Sequence, residues 1–156
     1  MELKEEKNQE VTFSIEKIYI KDISYESPNV PGMFSRKIDN KEVNIHLDIL
    51  NTLLNAEQEL YEVVLTVTAV SSSDGKNLFL VEIKQAGIFK IAGLEGEPLK
   101  KTLEITCPNI LLPFARESLN NLVTRGGFSQ LLIGPINFES FYTQKMSAEQ
   151  PKLQTQ

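Results

Sequence analysis

Apolar and polar residues alternate with a period of two over residues 11 to 26. Val11, Phe13, Ile15, Lys17, Tyr19, Lys21, Ile23 and Tyr25 fall on one side of a predicted strand, and Thr12, Ser14, Glu16, Ile18, Ile20, Asp22, Ser24 and Glu26 on the other. The lysine stems can lie along the first side with their ammonium groups in water. The second side is polar but carries two bulky isoleucines beside acidic groups, a mixture suited to a contact surface. A cleaner strand follows, in which Val43, Ile45, Leu47 and Ile49 alternate with Glu42, Asn44, His46 and Asp48. A third strand is predicted over about residues 61 to 70. Asp74-Gly75, inside the polar run 71–77, tolerates positive φ and predicts a hairpin turn into a fourth strand over residues 78 to 91.

Helical spacing begins only afterwards, with Ile110, Leu111, Phe114, Ala115, Leu119, Leu122 and Val123 recurring every three to four residues and Gly126-Gly127 placed to stop the helix. Pro113 either occupies the first turn or kinks the helix, because an interior proline forfeits a hydrogen bond. A shorter helix is predicted from residue 138 to about 146, with Asn137 as its N-cap and Pro135 just upstream. Strands followed by helices predict an α+β domain built on an antiparallel sheet. Residues 1–10 and 147–156 are polar and without period, so they are expected to be tails flanking a single domain over residues 11–146.

The chain has 156 residues, enough for one core that buries roughly 70% of the unfolded surface. Hydrophobic residues make up 41% and charged residues 24%, the balance of a globular protein, and no run approaches the ~20 apolar residues of a membrane span. Residues 1–10 are dense in Glu and Lys with no apolar segment behind them, so no secretory signal and a cytoplasmic location are expected. With 16 basic against 21 acidic residues the net charge is −5, which disfavours nucleic acid and favours basic or apolar partners. One histidine and one cysteine cannot build a metal site, and Gly93-Leu94-Glu95-Gly96 lacks the lysine and following Ser or Thr of a phosphate-binding loop. No cofactor is therefore expected. Cys107 and His46 are the one conceivable nucleophile and base, but no third residue orients them, so no enzymatic activity is expected.

Three blocks, in order along the chain, resemble the SecB family of protein-export chaperones: IYIKDISYESPN (18–29), then QAGIF (85–89) with IAG (91–93), then CPNILLPFARE (107–117) with RGGF (125–128) and PINF (135–138). The resemblance implies a four-stranded antiparallel sheet with the C-terminal helices packed on one face, assembling as a dimer of dimers, a homotetramer. It implies an ATP-independent holdase that binds unfolded precursor proteins, keeps them translocation-competent and delivers them to the SecA translocation ATPase. The alternative it leaves open is a holdase of the same fold with other cytosolic clients, such as a toxin, and no coupling to SecA.

Carried over by position, the SecA-docking surface falls on Asp22, Glu26, Leu80 and Glu82, with Ile20 expected nearby. The assembly-linked positions fall on Val81, Ile83 and Gln85, and a client-binding groove includes Met33, Phe34 and Ile38. The family's crossover loop carries a tryptophan and then a proline. Here the stretch reads Ile38-Asp39-Asn40-Lys41-Glu42, so an aliphatic side chain replaces an aromatic face in one client subsite. Without a nucleotide site, client release is expected to come from competition or hand-off.

Overall fold

The computed structural model describes residues 10–149; of the expected tails at 1–10 and 147–156, residues 1–9 and 150–156 lie outside the described residues, and 147–149 belong to the last helix. Four strands, β1 (Thr12–Glu26), β2 (Lys41–Asn55), β3 (Leu60–Ser73) and β4 (Lys76–Ala92), form one antiparallel sheet in the order β1-β4-β3-β2. The chain crosses from one sheet edge to the other between β1 and β2, through a short 3-10 turn at Gly32–Ser35. Asp74 (φ 50°) and Gly75 (φ 77°) both sit in the left-handed region, the turn whose twist matches a two-residue hairpin. β2 continues six residues beyond the predicted Ile49, to Asn55.

β1 departs most from its predicted pattern. Its pairing with β4 skips one residue between Ile15 and Lys17 and another between Ile20 and Asp22. Each bulge reverses which side chains face which way, since strand side chains alternate with a period of two. Phe13 and Ile15, then Ile18 and Ile20, then Ile23 and Tyr25 consequently pair with Ile91, Phe89, Gly87, Gln85, Ile83 and Val81 on a single face. Ser14, Lys17, Tyr19, Asp22, Ser24 and Glu26 take the opposite face. The two isoleucines thus belong to the apolar side, and Ile20 is not a neighbour of the acidic groups.

Over β4 and β3 that apolar face is covered by helices. α1 (Gly96–Lys101) leads through a π-helical turn at Thr102–Thr106 into α2 (Cys107–Arg125), and α3 (Phe138–Glu149) closes the domain. Pro108 lies in the first turn of α2, while Pro113 lies inside it. Pro108 has no amide hydrogen to offer the carbonyl four residues back, and the Cys107 N–H bonds Thr102 O across five residues in the turn just before it. Cys107, Leu111, Ala115, Leu119 and Val123 recur every fourth residue and are buried where α2 packs over β4 and β3. Phe114, expected among them, is 43% exposed. Asn137 caps α3, its Oδ1 accepting the Ser140 N–H at 3.0 Å, and the helix runs to Glu149 rather than ending near Met146. Phe79, Phe89 and Phe138 are the largest fully buried side chains, each of a size worth roughly 1.5–3 kcal/mol on burial. At the end of α2, a Cβ on Gly126 would lie 1.8 Å from the Tyr25 hydroxyl, so that glycine lets the helix close on the end of β1. No helix among the described residues is long and apolar enough to cross a membrane.

Candidate functional site

The face of the sheet away from the helices is organised in rows set by strand register. Glu26, Leu80 and Val70 form one row, Ser24, Glu82 and Thr68 the next, and Asp22, Lys84 and Thr66 a third. The four positions Asp22, Glu26, Leu80 and Glu82 are therefore neighbours on one surface, because the second β1 bulge rotates Asp22, Ser24 and Glu26 onto the side of Leu80 and Glu82. Ser24, Glu26, Thr68, Val70, Leu80 and Glu82 line a depression of about 290 Å³. Thr68 Oγ1 donates to Glu82 Oε2 at 3.2 Å.

The ion pairs among the described residues are Lys21–Glu62 and Lys145–Glu104. Asp22, Glu26 and Glu82 take part in neither. Three unpaired carboxylates around an aliphatic centre make a surface that attracts cations and offers a small apolar contact. The first of those ion pairs borders this region. Glu62 accepts a hydrogen bond from the Tyr19 hydroxyl and pairs with Lys21 Nζ at 2.7 Å. The Lys21 bond, and then the Tyr19 bond, hold the Glu62 carboxyl below its ordinary range. Burial, and then the bond to Glu62, push Tyr19 up to about 12. Tyr19 reaches Glu62 across Ala86, which is fully buried although it lies on the face away from the helices.

Val81, Ile83 and Gln85 occupy the opposite face. All three are buried, paired across the ladder with Tyr25, Ile23 and Ile20. Gln85 Nε2 donates to the Tyr19 carbonyl at 3.1 Å, next to the bulge at Lys21. The client-groove positions divide. Met33 is buried in the core, whereas Phe34 is 51% exposed and Ile38 is exposed. Phe34 meets Phe128 with ring centroids 5.4 Å apart, and Phe128 meets Phe79 at 5.4 Å. Phe128 was not singled out from sequence, although its place after two glycines at a helix end is a usable signal for a side chain that folds back.

Cys107 and His46 are not brought together. Cys107 is fully buried under the helix-covered face, where burial pushes its thiol up to about 12, and His46 is exposed on the other face of β2. Val70 and Thr68 are the site residues that sequence reasoning missed. Each reads as an ordinary strand residue until register sets it beside Leu80 and Glu82.

The family model described as preprotein translocase subunit SecB matches residues 6–149. A protein-export protein SecB of Chromohalobacter salexigens is 46% identical over 142 residues, covering 90% of this chain and 85% of that one. One of Legionella pneumophila is 44% identical over 145 residues, covering 93% and 88%. Among solved structures, a SecB-like chaperone of Mycobacterium tuberculosis in complex with a peptide from the HigA1 antitoxin superposes with a TM-score of 0.65 at 15% identity, covering 80% of this chain and 90% of that one. On the family match and the identities across nine-tenths of its length, the chain belongs to the SecB family.

Proposed function

We propose that the protein is an ATP-independent holdase that captures unfolded precursor proteins in the cytoplasm as a homotetramer and passes them to the SecA ATPase. The observation that carries the proposal is the amount of large apolar surface a well-packed subunit leaves uncovered. The helices lie over β4 and β3, so Phe13, Ile15, Ile20 and Ile23 along β1 stay exposed on the helix-covered side, as do Phe34 and Ile38 in the crossover. The β1 row is the surface a second subunit would cover. Val81, Ile83 and Gln85 would act on assembly indirectly, by supporting β1 from beneath.

Fixing a client backbone costs about 1–2 kcal/mol per residue, while one buried apolar anchor returns roughly 1.5–3 kcal/mol. A single groove holds an unfolded chain poorly, and repeated grooves on one oligomer hold it well through effective concentration. Selection would be kinetic, since a fast-folding polypeptide hides its anchors before capture. Asp22, Glu26, Leu80 and Glu82 would receive SecA, and no step of this scheme needs a catalytic residue.

The test is light scattering of the purified protein alone and with a denatured precursor, beside an aggregation assay run with and without ATP. A tetramer-sized particle that suppresses aggregation equally in both conditions is expected, and a monomer with no effect on aggregation refutes the proposal. Aggregation suppression without any SecA binding would favour other clients, of the kind the antitoxin-peptide complex of the M. tuberculosis protein illustrates.

A further inference from the structure

We infer that the docking surface is completed by β3. In this arrangement Val70 forms with Leu80 an apolar seat for one aliphatic side chain of a basic peptide segment, and Thr68 is a positioning residue that aims Glu82 at the neighbouring cation. The inference rests on the proposed SecA docking and names two further residues and the chemistry of the segment they fit.

The geometry is specific. Val70 and Leu80 are directly paired across β3 and β4, and Glu26 lies on the other side of Leu80 in the same row. Both aliphatic side chains are part-exposed and line the same shallow depression. Carboxylates stand on two sides of that seat, Glu26 in its row and Glu82 in the next, with Asp22 one row further. None of the three is ion-paired, and Lys84 is the one cation in those rows. A segment with a Leu, Val or Ile flanked by Lys or Arg matches both features, with charge guiding its approach and the apolar contact holding it. A neutral or acidic segment would leave the carboxylates desolvated without partners.

Thr68 adds orientation. Its hydroxyl holds Glu82 Oε2 at 3.2 Å, restricting a flexible side chain that would otherwise sample several rotamers, and it leaves Oε1 without a partner among the described residues. Neither residue belongs to the core beneath the helices.

The experiment is titration of purified SecA into the full-length protein and its variants, with aggregation suppression and thermal unfolding measured alongside. Val70→Ala is expected to weaken SecA binding by about tenfold, the loss of two buried methyl groups, with aggregation suppression unchanged. Val70→Thr, nearly isosteric, gives the same direction if Val70→Ala fails to fold. Thr68→Val is expected to weaken binding by about three- to tenfold, Thr68→Ser to restore it, and Thr68→Val to have no further effect in a Glu82→Gln background. Wild-type affinity in both Val70 variants overturns the seat. Additivity of Thr68→Val with Glu82→Gln overturns the positioning role. If the wild-type protein suppresses aggregation yet does not bind SecA, the docking proposal itself fails, and the seat with it.

Discussion

Tyr19, Lys21 and Glu62 show how one carboxylate can organise the exposed side of a sheet. Because the folded protein lowers the Glu62 pKa, its contribution to stability is present above the ordinary value of 4.5 and is lost as pH falls through the lowered value. Tyr19 runs the other way: its pKa is raised from 10.0 to about 12, so its contribution holds below 10 and is lost as pH rises towards 12. Glu62→Gln should therefore be less stable than wild type in urea at neutral pH, with the gap closing under acid conditions. A gap independent of pH would contradict the assignment. Gly126 makes a different kind of demand. Gly126→Ala drives a methyl group into the Tyr25 hydroxyl and should cost about 1–3 kcal/mol, read from the urea midpoint, through displacement of β1 from the end of α2. The sequence displays Gly126-Gly127 as a helix stop, but it does not display the ring packed against it.

At the scale of elements, all four strands and both longer helices are legible in the sequence, β1, β2 and α2 from period, β4 from the Asp74-Gly75 turn and α3 from its Asn137 cap. What escaped in β1 has one cause. A strand pattern counts residues, whereas a bulge removes one from the count without changing composition. The odd positions of β1 read as a continuous apolar face, with Lys17 and Lys21 excused as snorkelling, when the true face changes parity twice. Deleting Lys21 is expected to remove the second bulge while leaving Ile20 against Gln85 and Asp22 against Lys84, so both faces of β1 keep their side chains and the fold is retained. Deleting Ser24 instead would put Asp22 and Ile23, or Tyr25 and Glu26, on the wrong faces and should appear as a large loss of thermal stability. The second half of β2 had no alternation to read, because Leu50, Leu53 and Leu54 fall on both faces while Asn51 faces inward to Glu104 at 3.2 Å. α1 and the π-helical turn were missed because their first residues, Gly96-Glu97-Pro98, look like a loop. The Val70–Leu80 pair was hidden by a third irregularity, the register shift at Ser71/Ser72. Counting back from the Asp74-Gly75 turn without it would set Val70 against Phe79, on the wrong face.

For the molecule as a whole, the division of labour is by sheet face. One side of β3 and β4 is closed by helices, the same side of β1 is left greasy, and the other side is acidic and wet. This SecB-family chaperone therefore presents apolar and charged surfaces that do not compete for space. An Ile20→Lys, Ile23→Lys double variant should give a smaller particle by light scattering with unchanged β-sheet circular dichroism, because both side chains lie on the exposed row and outside the packed core. An unchanged mass would exclude this row from the subunit contact. The bulges at Glu16 and Lys21 also bear on what the free margin of β1 can accept. Between them the strand offers only the regular stretches 12–15, 17–20 and 22–26, so an incoming chain finds four or five consecutive backbone partners before the ladder jogs. A chain adding to this border as a further strand would be stopped at the next jog, so extended polypeptides could not stack on it indefinitely into fibres.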